Sequence, residues 1–200
     1  LIMRSKVLKE ICLNAILLAL LIVSAQISLK VGLTTFTLQL LVVFIITSIC
    51  SLKNSLIIIS CYIIMGLIGI PVFASWGSGF AYVTMPTFGF VYGFYFVAII
   101  QFIANKITEK HTKKYRFIGY IIGGLISLVV LYAVGYLHGY IILNEVNDKG
   151  YTLSKLFSLF IAPYIPFDLA KLAISVFISD RLVDLKNKYI ETHPYEEKDS

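Results

Sequence analysis

Asp168 and Lys171 stand three positions apart inside an apolar stretch near the C-terminus. On a helix this spacing puts both side chains on one face. An ionisable residue inside a bilayer costs about 2.5–3.5 kcal/mol even on the most lenient insertion scale. Two such residues on one face have two readings. They neutralise each other as a structural ion pair, or they meet a polar group of a ligand. A carboxylate accepts hydrogen bonds and an ammonium donates them, so a small neutral group with both N–H and C=O, such as a urea, matches the pair. Pro166 suits the first turn of a helix, and Asp168 then lies where a helix N-terminus favours an anion.

Fewer polar residues elsewhere invite a role. Gln39 follows the segment GLTTFT and either faces the same pocket or pairs with a neighbouring helix. His138, in GYLHGY, reads as structural more readily than as a proton carrier. The uncharged segment ASWGSGFAYVTM holds Trp76, Phe80 and Tyr82, spaced by Gly77 and Gly79, with Ser78 between the glycines. Glycine permits tight backbone paths and aromatic rings need a surface to cover. The segment is a lid over an outward-facing pocket or part of an interfacial aromatic belt. Cys12, Cys50 and Cys61 sit in apolar runs and read as small buried hydrophobes. No metal-ligating set, nucleophile elbow, zinc-protease motif or phosphate loop is present in the sequence, so no catalytic residue and no metal is expected.

The elements that hold these residues follow from composition. The 200 residues are 58% hydrophobic and 14% charged, with a mean hydropathy of +0.88. Soluble domains are about 45–50% apolar and about 25% charged. The chain is therefore expected to be an all-α integral membrane protein, a single domain over residues 1–200. A spanning helix needs about 20 apolar residues. Six segments qualify, near Val7–Leu29, Phe36–Leu52, Leu56–Phe73, Pro86–Asn105, Phe117–Leu143 and Pro166–Ile178, the last with Leu185 as its outer limit. Val23-Ser24-Ala25 resembles a signal cleavage site, but the first apolar stretch is longer than a signal core of about 7–15 residues and is expected to remain as a span. With the N-terminus inside, the cytoplasmic side carries 13 of the lysines and arginines and the outer side 3, which places both termini in the cytoplasm, with tails at 1–6 and 187–200. The net charge of +6 is then flanking charge, and no nucleic-acid partner is expected. Several small-residue pairs allow close helix contact: Ala15 with Ala19, Gly89 with Gly93, Gly119 with Gly123, and Gly135 with Gly139.

Four segments, in order, carry a family resemblance: TTFTLQLLVV from Thr34, GLIGIPVF from Gly66, MPTFGFVYGF from Met85 and PYIPFDLAK from Pro163. With these the chain resembles the biotin-specific substrate-binding (S) components of energy-coupling factor (ECF) vitamin transporters, over about Leu13 to Ile178. The family's Pro-Thr-Gly-Gly is Pro86-Thr87-Phe88-Gly89 here. The resemblance implies high-affinity capture of biotin from outside, with no cofactor beyond this transported ligand, at a bacterial plasma membrane. It implies that the Asp168–Lys171 pair contacts the ureido ring. Gln39, Trp76, Gly77, Ser78 and Tyr82, together with Tyr92 and Tyr164 from the matching segments, complete the expected ligand set. Ala15 and Ala19 resemble the first-helix motif by which S components meet a shared transmembrane coupling subunit, which works with two ATPases. The rival readings are another vitamin such as lipoate in the same class, a membrane enzyme using His138 or Asp168 as a base, and a self-sufficient proton-coupled carrier.

Overall fold

The computed structural model describes residues 2–31, 34–108 and 113–192. Of the expected tails, Leu1 and residues 193–200 lie outside the described residues, as do the basic positions Lys110 and Lys198.

Helix α1 spans Ile2–Gln26. It buries Leu17, Leu21, Ser24 and Ala25 and exposes Val7, Ile11, Ile16, Leu20 and Val23. An apolar exposed face suits a helix bathed in lipid. The chain then forms an antiparallel hairpin of β1 (Ser28–Val31) and β2 (Thr34–Thr37), in register Leu29 to Phe36. The second apolar segment was expected to be helical from Phe36, but Phe36 and Thr37 close the β-branched and aromatic strand TTFT. Helix α2 therefore begins at Gln39 and ends at Ile49, and α3 runs Leu52–Leu67. Ser51 separates them, its Oγ accepting the N–H of Asn54 at 3.3 Å as an N-cap. At about 1.5 Å per residue the 11 residues of α2 fall short of a bilayer core of about 30 Å.

Residues 68–87 form a compact connection with turns at Ala74–Trp76 and Phe80–Thr84. It packs tightly on α3: a Cβ at Gly66 would overlap the Phe73 ring, so glycine there is what lets Phe73 bury completely. Helices α4 (Phe88–Thr108) and α5 (Lys113–Tyr140) pack along their length. The glycine pairs on both helices make this possible. A Cβ at Gly93 would strike Leu131, and one at Gly135 would strike the Phe90 ring. Helix α5 continues as a π-turn over Ile141–Val146. The stretch from Asn144 to Ile165, expected to be loop, contains an amphipathic helix α6 (Leu153–Phe160), with Thr152 as N-cap. Helix α7 (Ile165–Thr192) follows at a bend of 42°.

Among the described residues three helices are long and apolar enough to cross a membrane, and α6 with α7 makes a fourth if the bent pair is one span. At the far end of α5 and α7 from residues 132 and 168, Arg116 donates to Asp180 Oδ1 and to Asp184 Oδ1, both at 2.6 Å. Cys12 and Cys61 lie on outward faces rather than in the core, and Cys50 is half-buried. The expectation that all three are buried is thereby corrected: only Cys50 packs against the core.

Candidate functional site

The helices, the β-hairpin and the 68–87 connection converge on a partly open cleft. Its charged corner comes from α7. Asp168 lies in the first turn of α7, 5% exposed, and Lys171 one turn further. Lys171 Nζ donates to Asp168 Oδ1 at 2.7 Å. Tyr132, from α5, donates its hydroxyl to Asp168 Oδ2, also at 2.7 Å. Each carboxylate oxygen thus accepts one hydrogen bond from the protein and keeps a lone pair for another donor. The ammonium has further protons for an acceptor. Burial makes such bonds stronger than they are in water, because the surrounding dielectric is low.

The apolar part of the lining is built from Leu40, Val91, Phe94 and Leu131. Thr35, Thr37 and Thr87 add hydroxyls, and Phe90, Tyr82 and Tyr164 add rings. The β-hairpin holds its side of the cleft by stacking: Phe36 lies on the Tyr164 ring at 4.1 Å between centroids and meets Phe167 edge-on at 5.1 Å. This ties the hairpin to the start of α7. Tyr82 stacks on Phe73 at 4.6 Å, and burial pushes its phenol above the usual value, so it stays protonated.

Gln39 lines the cleft and is also paired within the protein. Its Nε2 donates to the Tyr62 hydroxyl at 2.6 Å and its Oε1 accepts from Thr37 Oγ1 at 3.0 Å. Both readings of Gln39 therefore hold together.

Of the expected ligand residues, the cleft brings together Asp168, Lys171, Gln39, Tyr82 and Tyr164. Trp76, Gly77 and Ser78 do not line it; Ala74 of the same loop does. The Trp76 side chain is 69% exposed. Gly77 is required by its neighbour, since a Cβ there would overlap the Tyr82 ring. Tyr92 packs edge-on against His138 at 5.5 Å, away from the cleft lining. His138 Nε2 lies 3.2 Å from the Met85 carbonyl, bridging α5 to the turn before α4. Ala15 and Ala19 are exposed on α1, on a face that α1 does not use for its own packing. The residue sequence reasoning missed is Tyr132; its one signal was a phenol inside an apolar span. Among the described residues no group of His, Cys, Asp and Glu is arranged to hold a metal ion.

A scaffold of apolar helices with a cleft and a buried acceptor–donor pair inside it fits a membrane protein that captures a small molecule. The chain belongs to the BioY family, whose model matches residues 3–188. It is 30% identical over 179 residues to the biotin transporter BioY of Thermotoga maritima, covering 90% of this chain and 98% of that one. It is also 30% identical over 129 residues to a second biotin transporter of the family, from Lactococcus lactis subsp. cremoris, covering 64% of this chain and 70% of that one. In fold it is similar to the crystal structure of the S component for biotin from an ECF-type ABC transporter. The TM-score is 0.74, at 22% identity, over 90% of this chain and 93% of that one. These relatives are transport proteins, not enzymes, and the chain is likewise a multi-pass protein of the plasma membrane.

Proposed function

We propose that this chain is the substrate-binding subunit of an ECF-type importer and that the cleft captures biotin. The observation that carries the reading is the Tyr132–Asp168–Lys171 cluster in a cleft that also has an apolar wall. The ureido ring of biotin has two N–H donors and one C=O acceptor. Asp168 takes the donors on its remaining lone pairs, Lys171 donates to the carbonyl, and Tyr132 holds the carboxylate in place. The sulfur ring and the acyl chain lie along Leu40, Val91, Phe94 and Leu131. Gln39, Tyr82 and Tyr164 complete the contacts, and the loop carrying Trp76, Gly77 and Ser78 borders the opening.

The six apolar segments, with α2 and α3 as short ones, cross the membrane, leaving both termini in the cytoplasm and the cleft on the outer side. The exposed small face at Ala15 and Ala19 docks on a transmembrane coupling subunit, and two ATPase subunits supply the energy. Isothermal titration of the purified chain with biotin, lipoate and other vitamins tests the ligand. Tight binding of biotin alone is the expected result. Preference for lipoate, which lacks a urea, overturns the assignment of the pair. Uptake into vesicles without ATP or partner subunits overturns the importer-subunit reading in favour of a self-sufficient carrier.

A further inference from the structure

Gln26 is the last residue of α1 and is not among the residues lining the cleft. Its side-chain amide nonetheless makes three hydrogen bonds to the loop that borders the cleft. Nε2 donates to the carbonyls of Val72 at 3.2 Å and Phe73 at 3.1 Å. Oε1 accepts the backbone N–H of Trp76 at 2.9 Å. Within this loop Ser75 and Trp76 both hold left-handed backbone, with φ of 56° and 61°. Side-chain-bearing residues keep that conformation when their surroundings impose it. The loop closes on itself through the Phe73 N–H, which donates to the Gly77 carbonyl at 3.0 Å.

The same loop is joined to the cleft wall. The Val72 carbonyl that Gln26 holds also accepts the Tyr62 hydroxyl at 3.1 Å. Tyr62, fully buried, accepts in turn from Gln39, which is bonded to Thr37. Gln39, Thr37 and Ala74 all line the cleft. A ligand in the cleft therefore meets both the loop and the network that anchors it, while Gln26 holds the same loop from the end of α1.

We propose that Gln26 is a positioning residue, a latch that holds the Phe73–Gly77 loop against the cleft and thereby sets the rate at which bound vitamin leaves. The inference rests on the capture function proposed above. One side chain supplies three bonds to the turn, against one from Ser28 Oγ to Ser75 Oγ at 3.3 Å, so its loss loosens Ala74–Trp76 while Phe73 stays buried. An unlatched loop leaves entry open and speeds exit, which separates a latch from a residue that merely stabilises the fold.

The test uses the full chain in nanodiscs, with biotin as the probe, and the variants Gln26→Met and Gln26→Glu. Methionine keeps the volume and loses all three bonds; glutamate keeps the acceptor for Trp76. In Gln26→Met the dissociation rate should rise by about tenfold while association changes by less than about twofold. Gln26→Glu should fall between it and the wild type. Amide hydrogen exchange at Trp76 should quicken in both variants without ligand. Wild-type dissociation and wild-type exchange overturn the latch. Should the variants fail to fold, exchange in the wild-type chain decides: saturating biotin must slow exchange at Trp76, and an unchanged rate overturns the proposal. A wild-type chain that does not bind biotin in calorimetry sinks the capture function instead, and exchange in ligand-free Gln26→Glu then judges the latch by itself.

Discussion

Tyr132 and Asp168, 36 positions apart in the chain, meet at 2.7 Å across the packing of α5 on α7. The phenol occupies the carboxylate oxygen that Lys171 leaves open. This aims the remaining lone pairs of Asp168 rather than letting the carboxylate rotate. Tyr132→Phe should preserve the fold and weaken biotin binding by roughly 10-fold, the loss of one hydrogen bond to a charged group. Titration calorimetry reads it directly. Wild-type affinity in this variant would mean that Lys171 alone orients the carboxylate.

Asp168→Asn and Lys171→Ala probe the pair itself. Each should lower affinity by roughly 10- to 150-fold, from hydrogen bonds to charged groups of about 1.5–3 kcal/mol. The partly buried Asp168–Lys171 bond at 2.7 Å motivates the prediction. If both variants fold and titrate like the parent, the pair is structural and the ligand sits elsewhere.

Trp76 is the sole tryptophan and its indole is largely exposed on the loop whose Ala74 lines the cleft. Biotin in the cleft should give that loop a surface to cover. The expected signal is a blue shift of the emission and reduced access to an aqueous quencher. An unchanged spectrum and unchanged quenching at saturating biotin would show that the loop does not respond to ligand.

Ala15 and Ala19 form a shallow exposed face on α1. In lipid, helices associate by close packing, so a bulky side chain holds a partner away. Ala15→Trp or Ala19→Trp should abolish ATP-driven uptake with the coupling subunit present and leave biotin binding by the isolated chain intact. Normal uptake would remove this face as the docking surface; joint loss of binding and uptake would mark it as an internal packing face.

Gly135→Leu tests the packing that shapes the cleft. A side chain there strikes the Phe90 ring, which lines the site. Overpacking of this kind costs about 1–3 kcal/mol. The variant should melt lower than the parent and bind biotin more weakly, and an unchanged melting temperature would show that α4 and α5 can separate at no cost.

The parts of this protein legible in its sequence are those governed by local spacing. Asp168 and Lys171 are three apart on one helix, so their meeting needed no knowledge of the fold. The glycine pairs of α4 and α5 announced close contact for the same reason. Tyr132 was not legible as a site residue, because its role depends on which helix α5 packs against. The hairpin was hidden by averaging: Leu29 and Phe36 lie at the edges of apolar runs, and a hydropathy window extends the runs over them. The strand signal was the run of threonines around Phe36. Helix α6 was concealed in a segment whose apolar residues occupy one face only. Trp76 drew attention as a rare aromatic between glycines, but the residue of its loop that reaches the cleft is Ala74, and composition gives no hint of that.

The Arg116 ion pairs have a mechanical consequence. Asp180 lies 12 residues beyond Asp168 on α7, about 18 Å along the axis, and Arg116 lies 16 residues before Tyr132 on α5, about 24 Å. The two helices are riveted at one end by charges and joined at the other by the Tyr132 phenol, with Leu172 seated on Gly124 and Phe117 against Phe177 in between. They form a clasp that is already fastened before a ligand arrives. The distance of the Asp168 carboxylate from α5 is thus set by fixed points along the whole length of the two helices, and a ligand meets it ready-placed.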